Sequence, residues 1–204
     1  MVGVGRSVFR GTRIDTFQVE IIGTLHDLFG PGRDIILAEL SGAPLEEAGV
    51  IQGMSGSPVF IDGKLIGAVS HAIGPYFTKR SIAGIRPIDE MLDLLDRPDA
   101  PQAGTGLPSG GSGASSATSA VGDLGIGDLK PISVPLVLSG FAPQAVTDLR
   151  ERLLPLGLVP IQGGGSADST LPTGAFEPGA SLGVELMRGD LSMVGIGTLT
   201  YRDG

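Results

Sequence analysis

Ser55 stands in the run Gly53-Met54-Ser55-Gly56-Ser57-Pro58, with a glycine on either side of the Met-Ser pair. A serine hydroxyl is a weak nucleophile until a base takes its proton. Its attack also needs donors that hold the oxyanion it creates. Both needs are geometric. Glycine reaches backbone angles closed to other residues, so a tight turn can aim the amides of Gly53 and Ser55 at one point. A hairpin is expected to follow at once: Val59–Ile61, an Asp62-Gly63 turn, then Leu65–Ser70. Asp-Gly between apolar runs is a strong hairpin signal. A hairpin would hold the hydroxyl rigidly beside that hole. The chemistry open to such an arrangement is acyl transfer through a serine ester.

The chain has two histidines. His26, in Thr24-Leu25-His26-Asp27, reads as a solvated loop residue, and Asp27 is too close in sequence to make a useful pair with it. His71 ends the strand after Ser55 and reads as a structural or rim histidine. Its functional alternative is a cleft residue or a substitute base, since the hairpin can bring it near Ser55. A base must reach Oγ within about 3 Å. Ser57 is expected to hydrogen-bond inside the loop rather than to attack. Gly163-Gly164-Gly165 lacks the GxxxxGK[ST] pattern of a phosphate loop, so nucleotide binding is not expected. Arg188-Gly189-Asp190 reads as a tight hairpin turn. Glu46 and Glu47 are adjacent and would point apart on a helical turn, so a paired-carboxylate glycosidase is not supported. No metal or other cofactor is called for.

Composition narrows the classes further. Hydrophobic residues make up 41% of 204, enough to build a core. Thirty-four glycines, 15 prolines and few long helical patterns favour a β-rich chain with many turns. The net charge of −8 comes without a basic cluster, which argues against nucleic acid and against an anionic membrane surface. The absence of cysteine removes disulfides, thiolate catalysis and Cys-ligated zinc. No stretch approaches the roughly 18 apolar residues that span a bilayer, so no membrane insertion is expected of these residues. The N-terminal MVGVGRSVFRG lacks the apolar core of a signal peptide.

The elements that would position Ser55 fall in two groups. Residues 1–97 form the nucleophile-bearing β module. Thr16–Leu25 alternates, with Phe17, Val19 and Ile21 on one face, and reads as a strand. Asp34–Leu40 is a second strand, Leu45–Gly49 a short helical turn, and Ser81–Ile85 a further strand. Pro87–Asp96 reads as a helix with Pro87 at its first position. Residues 98–128 are a Gly/Ser/Pro-rich linker, low in complexity over 98–122. Residues 129–204 are the second β-rich module. It has strands at Ile132–Leu138 and Leu158–Ile161, and a helix at Pro143–Leu154 with Val146, Leu149 and Leu153 inward. A hairpin of Ser181–Met187 and Leu191–Tyr201 completes it.

The run GMSGSP, with FQVEIIGTL (17–25), LEEAGVIQ (45–52) and GKLIGAVSH (63–71), resembles the SpoIVB-type serine peptidases, a chymotrypsin-like bacterial family. The resemblance covers residues 1–97. It implies that Ser55 is the nucleophile and that the Gly53 and Ser55 amides form the oxyanion hole. Met54 takes the place where a trypsin-like enzyme has the Asp that pairs with a new N-terminus, so activation by that ion pair is not expected. The run MRGDLSMVGIGTLTYRDG (187–204) is similar to the family segment that leads to a Gly-His motif carrying the catalytic histidine. By this likeness the chain is expected to stop short of its general base, as a fragment of a larger protein. The family's catalytic Asp corresponds best to Ser41, which cannot act as a carboxylate, and nothing is carried over to Asp34.

The resemblance therefore implies a mostly β fold: two β-rich modules of chymotrypsin-like, double β-barrel ancestry with two short helices. It implies peptide-bond hydrolysis through a Ser55 acyl-enzyme, a protein or peptide substrate, and an extracytoplasmic bacterial setting. The alternative is a non-catalytic β-scaffold that binds a protein or cell-envelope partner. Oligomeric state and substrate specificity are not legible.

Overall fold

The computed structural model describes residues 1–42, 45–46, 49–73, 81–93, 129–163 and 176–203. Among these, six strands close a barrel. β1 (Val2–Arg10) turns through Gly11 into β2 (Arg13–Leu25), and β2 pairs with β3 (Ile35–Ser41). β3 pairs with β6 (Ser81–Pro87), and β6 with β5 (Lys64–Ile73). β5 pairs with β4 (Pro58–Ile61), and β4 returns to β1 through Val4 and Gly5. Every pairing is antiparallel, and the ring β4-β1-β2-β3-β6-β5 closes on itself through β4 and β5. Closure leaves no unpaired strand edge around the ring.

The core follows the expected alternation on β2: Phe17 and Val19 are buried, and Ile21 packs against them. They meet Ala38 and Leu40 of β3, Val59 of β4, Val69 of β5, and Ala83 and Ile85 of β6. β1 escaped the sequence reading because its pattern is inverted. Its inward positions are Gly3, Gly5 and Ser7, while Val2 and Val4 are 63% and 43% exposed. The physical reason is Phe17. A Cβ at Gly5 would lie 2.1 Å from the Phe17 ring, so the barrel wall is thinned there to seat an aromatic side chain.

The hairpin after Ser55 forms as expected. Asp62 (φ 50°) and Gly63 (φ 76°) make its two-residue turn. β5 carries a bulge at Ser70: Val69 opposes Ile85, but His71 opposes Gly84. β7 (Leu129–Pro131) pairs with the far end of β5, and Ile132 joins the barrel core.

The second sheet is four-stranded in the order β10-β11-β8-β9. β8 (Val134–Ser139) and β9 (Leu158–Gln162) run parallel, joined through α2 (Pro143–Leu153) and a 3-10 turn over Leu154–Leu156. β10 (Ser181–Met187) and β11 (Ser192–Thr198) form the expected hairpin about Arg188-Gly189-Asp190. Val146 packs with Leu136 and Leu138, supported by Leu149 and Leu153. The fold is mostly β with two short helices. The closed barrel belongs to the first module, while the second sheet is open and mixed among the described residues.

α1 (Ile88–Leu92) corrects one expectation. Pro87 is not the first helical residue but the last of β6 and the N-cap, with ψ 142°. Its extended ψ keeps it in the strand. The expected linker and the tail of this helix lie outside the described residues, as do Glu47 and Gly164-Gly165.

Candidate active site

Ser55 sits in the connection between β3 and β4. Three apolar side chains of that connection, Leu45, Val50 and Met54, dip into the barrel core. Met54 is 1% exposed, so the residue just before the serine is a plug. Burying Met54 leaves Ser55 half-buried at the surface of the barrel. Gly53 (φ 88°) and Gly56 (φ 92°) supply the left-handed angles that let the chain reverse around this plug.

The hydrogen bonds of the turn define where its amides point. The Met54 amide donates to Ile51 (3.3 Å), the Gly56 amide to Val69 (2.9 Å) and the Ser57 amide to Met54 (2.9 Å). The amides of Gly53 and Ser55 have no backbone partner among the described residues. Ser57 is buried, and its hydroxyl donates to that of Ser7 on β1 (3.0 Å). That is the loop-internal role expected of it.

The other face of the turn is held by the second sheet. Thr198 N–H donates to the Ser55 carbonyl at 2.9 Å. Thr198 Oγ1 donates to the Gly53 carbonyl at 2.8 Å, and Thr200 Oγ1 to the Gly56 carbonyl at 2.7 Å. Sequence reasoning missed both threonines. The available signal was their spacing of two in Thr198-Leu199-Thr200, which puts both on one side of an extended segment.

The segment that contains this turn can now be assigned. Residues 5–83 match the family model of the SpoIVB peptidase, S55. This segment is a SpoIVB-type peptidase domain. The match spans the barrel from β1 into β6 and includes Ser55. No curated protein and no solved structure matches the chain.

In this SpoIVB-type domain both histidines have partners other than Ser55. His71 is 6% exposed, and its ring stacks on Phe29 with centroids 4.9 Å apart. Its Nδ1 lies 2.8 Å from Ser70 Oγ, and that hydroxyl donates to the Gly84 carbonyl at 3.2 Å. The Ser70 oxygen therefore accepts from Nδ1–H. Burial, and secondarily the charge of Arg86, pushes the His71 pKa down to about 4.

His26 is exposed, and its Nδ1 lies 2.8 Å from Asp34 Oδ2. His26 thus pairs with Asp34 and not with the adjacent Asp27, which was not expected to pair with it. Asp34 also accepts from the Asp27 amide at 3.0 Å. That backbone bond, and then His26, holds the Asp34 carboxyl below its ordinary range. Ser41 ends β3 opposite Gln18. No group of three or more metal-ligating side chains occurs among the described residues.

Proposed function

We propose that this SpoIVB-type domain is a serine endopeptidase acting through a Ser55 acyl-enzyme. The observation that carries the reading is the turn itself. A half-buried serine lies between two left-handed glycines. The amides of Gly53 and Ser55 have no backbone partner among the described residues, while those of Met54, Gly56 and Ser57 are all engaged. An oxyanion hole requires amides that are free to donate from a rigid turn.

In the reaction Ser55 Oγ attacks the carbonyl carbon of a peptide bond, and a base takes its proton. The Gly53 and Ser55 amides hold the negative oxygen. The base then returns the proton to the leaving amine as the C–N bond breaks, which leaves a Ser55 ester. Water hydrolyses that ester, regenerates Oγ–H and releases the acid.

His71 is a poor base for this step, because a ring held at a pKa of about 4 has little proton affinity. His26 is bonded to Asp34. We therefore assign the base to a histidine outside these residues, in keeping with the similarity of residues 187–204 to the segment that leads to the family's Gly-His motif. The closed six-stranded barrel supports chymotrypsin-like ancestry, and family resemblance supports a protein substrate and an extracytoplasmic bacterial setting. The engagement of both histidines with partners other than Ser55 is the observation that favours the rival reading, a non-catalytic scaffold that binds a protein or cell-envelope partner.

The test is labelling of the chain with a fluorophosphonate, alone and with the downstream sequence appended, using Ser55→Ala as control. Labelling that depends on Ser55 is the expected result, stronger when the base is supplied. A folded protein that stays unlabelled in both forms would leave the scaffold.

A further inference from the structure

Three peptide planes around Ser55 are locked from both sides. A planar peptide ties the C=O of one residue to the N–H of the next on the opposite side. Between Gly53 and Met54 the carbonyl is held by Thr198 Oγ1 and the N–H by Ile51. Between Ser55 and Gly56 the carbonyl is held by Thr198 N–H and the N–H by Val69. Between Gly56 and Ser57 the carbonyl is held by Thr200 Oγ1 and the N–H by Met54. All three carbonyl-side anchors come from residues 198–200, more than 140 positions away in sequence.

The anchoring segment is itself fixed. The Leu199 amide donates to Ala180, and the Leu199 carbonyl accepts from Gly179, both at 2.8 Å. Thr198 and Thr200 thus face the turn while Leu199 faces β10's approach, the alternation of an extended strand. The nucleophile turn is inserted between this strand and β5. Gly56 has no room for a side chain there: its Cβ would lie 2.2 Å from the Thr198 carbonyl oxygen.

From this geometry we infer that Thr198 and Thr200 are positioning residues, and that the second sheet, through them, sets the conformation in which the Gly53 and Ser55 amides stand free. The inference rests on the reading of Ser55 as nucleophile for its catalytic consequence, but not for its structural one. Both threonines lie outside the matched segment 5–83. The barrel supplies the serine, and the second sheet supplies the template that shapes its turn. Loss of the Thr198 hydroxyl leaves the Gly53–Met54 plane held only by the 3.3 Å bond from the Met54 amide to Ile51. A misplacement of about 1 Å in a reacting group costs up to about a hundredfold in rate.

The experiment compares Thr198→Val, Thr200→Val and the conservative Thr198→Ser in the full chain, with Thr147→Val as a control on α2, where the hydroxyl only bonds Pro143. Two measurements are made. Backbone ¹⁵N order parameters of Met54–Gly56 are expected to fall from about 0.85 to below about 0.6 in the valine variants and to recover in Thr198→Ser. The limiting rate of fluorophosphonate labelling is expected to drop roughly tenfold or more, with the half-saturating concentration unchanged. Thr147→Val should match the parent in both. Order parameters unchanged in folded Thr198→Val and Thr200→Val would overturn the inference, as would unchanged labelling rates in a parent that labels. A parent that never labels, alone or with the downstream sequence appended, with a turn that loosens in the variants, would sink the nucleophile reading and uphold the positioning role.

Discussion

Gly56→Ala and Gly53→Ala form a matched pair that isolates the contact between the barrel and the second sheet. Both glycines have nearly the same left-handed backbone, at φ 92° and φ 88°. An alanine at either site carries backbone strain of roughly 1–3 kcal/mol. Their surroundings differ. At Gly53 the nearest atom to a new Cβ is Pro135 Cγ at 3.8 Å, an ordinary contact. At Gly56 the new Cβ meets the Thr198 carbonyl oxygen at 2.2 Å, so the backbones must separate. Separation breaks the three hydrogen bonds from Thr198 and Thr200, each contributing about 1 kcal/mol. Strain cancels in the comparison, so Gly56→Ala should be less stable than Gly53→Ala by about 3 kcal/mol. Urea unfolding followed by circular dichroism reads this as a lower midpoint at equal slope. Two variants equal within about 0.5 kcal/mol, the usual error of such comparisons, would refute the tight docking of the turn on residues 198–200.

His71 makes stability depend on pH. Its folded pKa is about 4 against 6.5 for a free imidazole, so the unfolded chain binds the proton more tightly. Its contribution is complete above about pH 6.5, falls as the pH drops toward 4, and then levels. At 1.36 kcal/mol per pH unit the loss is about 3 kcal/mol. A His71→Gln variant unfolded in parallel should lack that slope, and identical slopes in both proteins would sink the assignment. Met54→Ala should lower stability by about 2–5 kcal/mol, as expected for a fully buried side chain; a loss under about 1 kcal/mol in the same urea titration would mean that Met54 is no plug. Ser57→Ala should cost about 1–3 kcal/mol by leaving the Ser7 hydroxyl buried and unpaired, whereas adding Ser7→Ala should recover part of that loss. A double variant whose loss equals the sum of the singles would show that the two hydroxyls do not interact.

Much of this protein follows from short-range pattern. The alternation of Phe17, Val19 and Ile21 marks β2, and Asp62-Gly63 marks the hairpin that follows the serine. The spacing of Val146, Leu149 and Leu153 marks α2. Each depends on neighbours within a turn or a strand, so the chain carries the signal locally. The GMSGSP run likewise states its glycine-dependent turn on its face.

What the sequence could not determine alone was contact between distant residues. β1 is invisible to a hydrophobic pattern because distant residues take the inward space its side chains would fill: Phe17 at Gly5, and Phe60 with Ile61 at Gly3. The closure of β1 on β4 joins residues some fifty-five positions apart, and no local preference encodes it. The environment of His71 likewise arises from Phe29 across the fold. The nucleophile turn is the sharpest case. Its residue types require that it bend, but the carbonyl partners that decide how it bends come from Thr198 and Thr200. Hydrogen bonds between segments so far apart form only after both sheets have folded, so tertiary structure alone decides them.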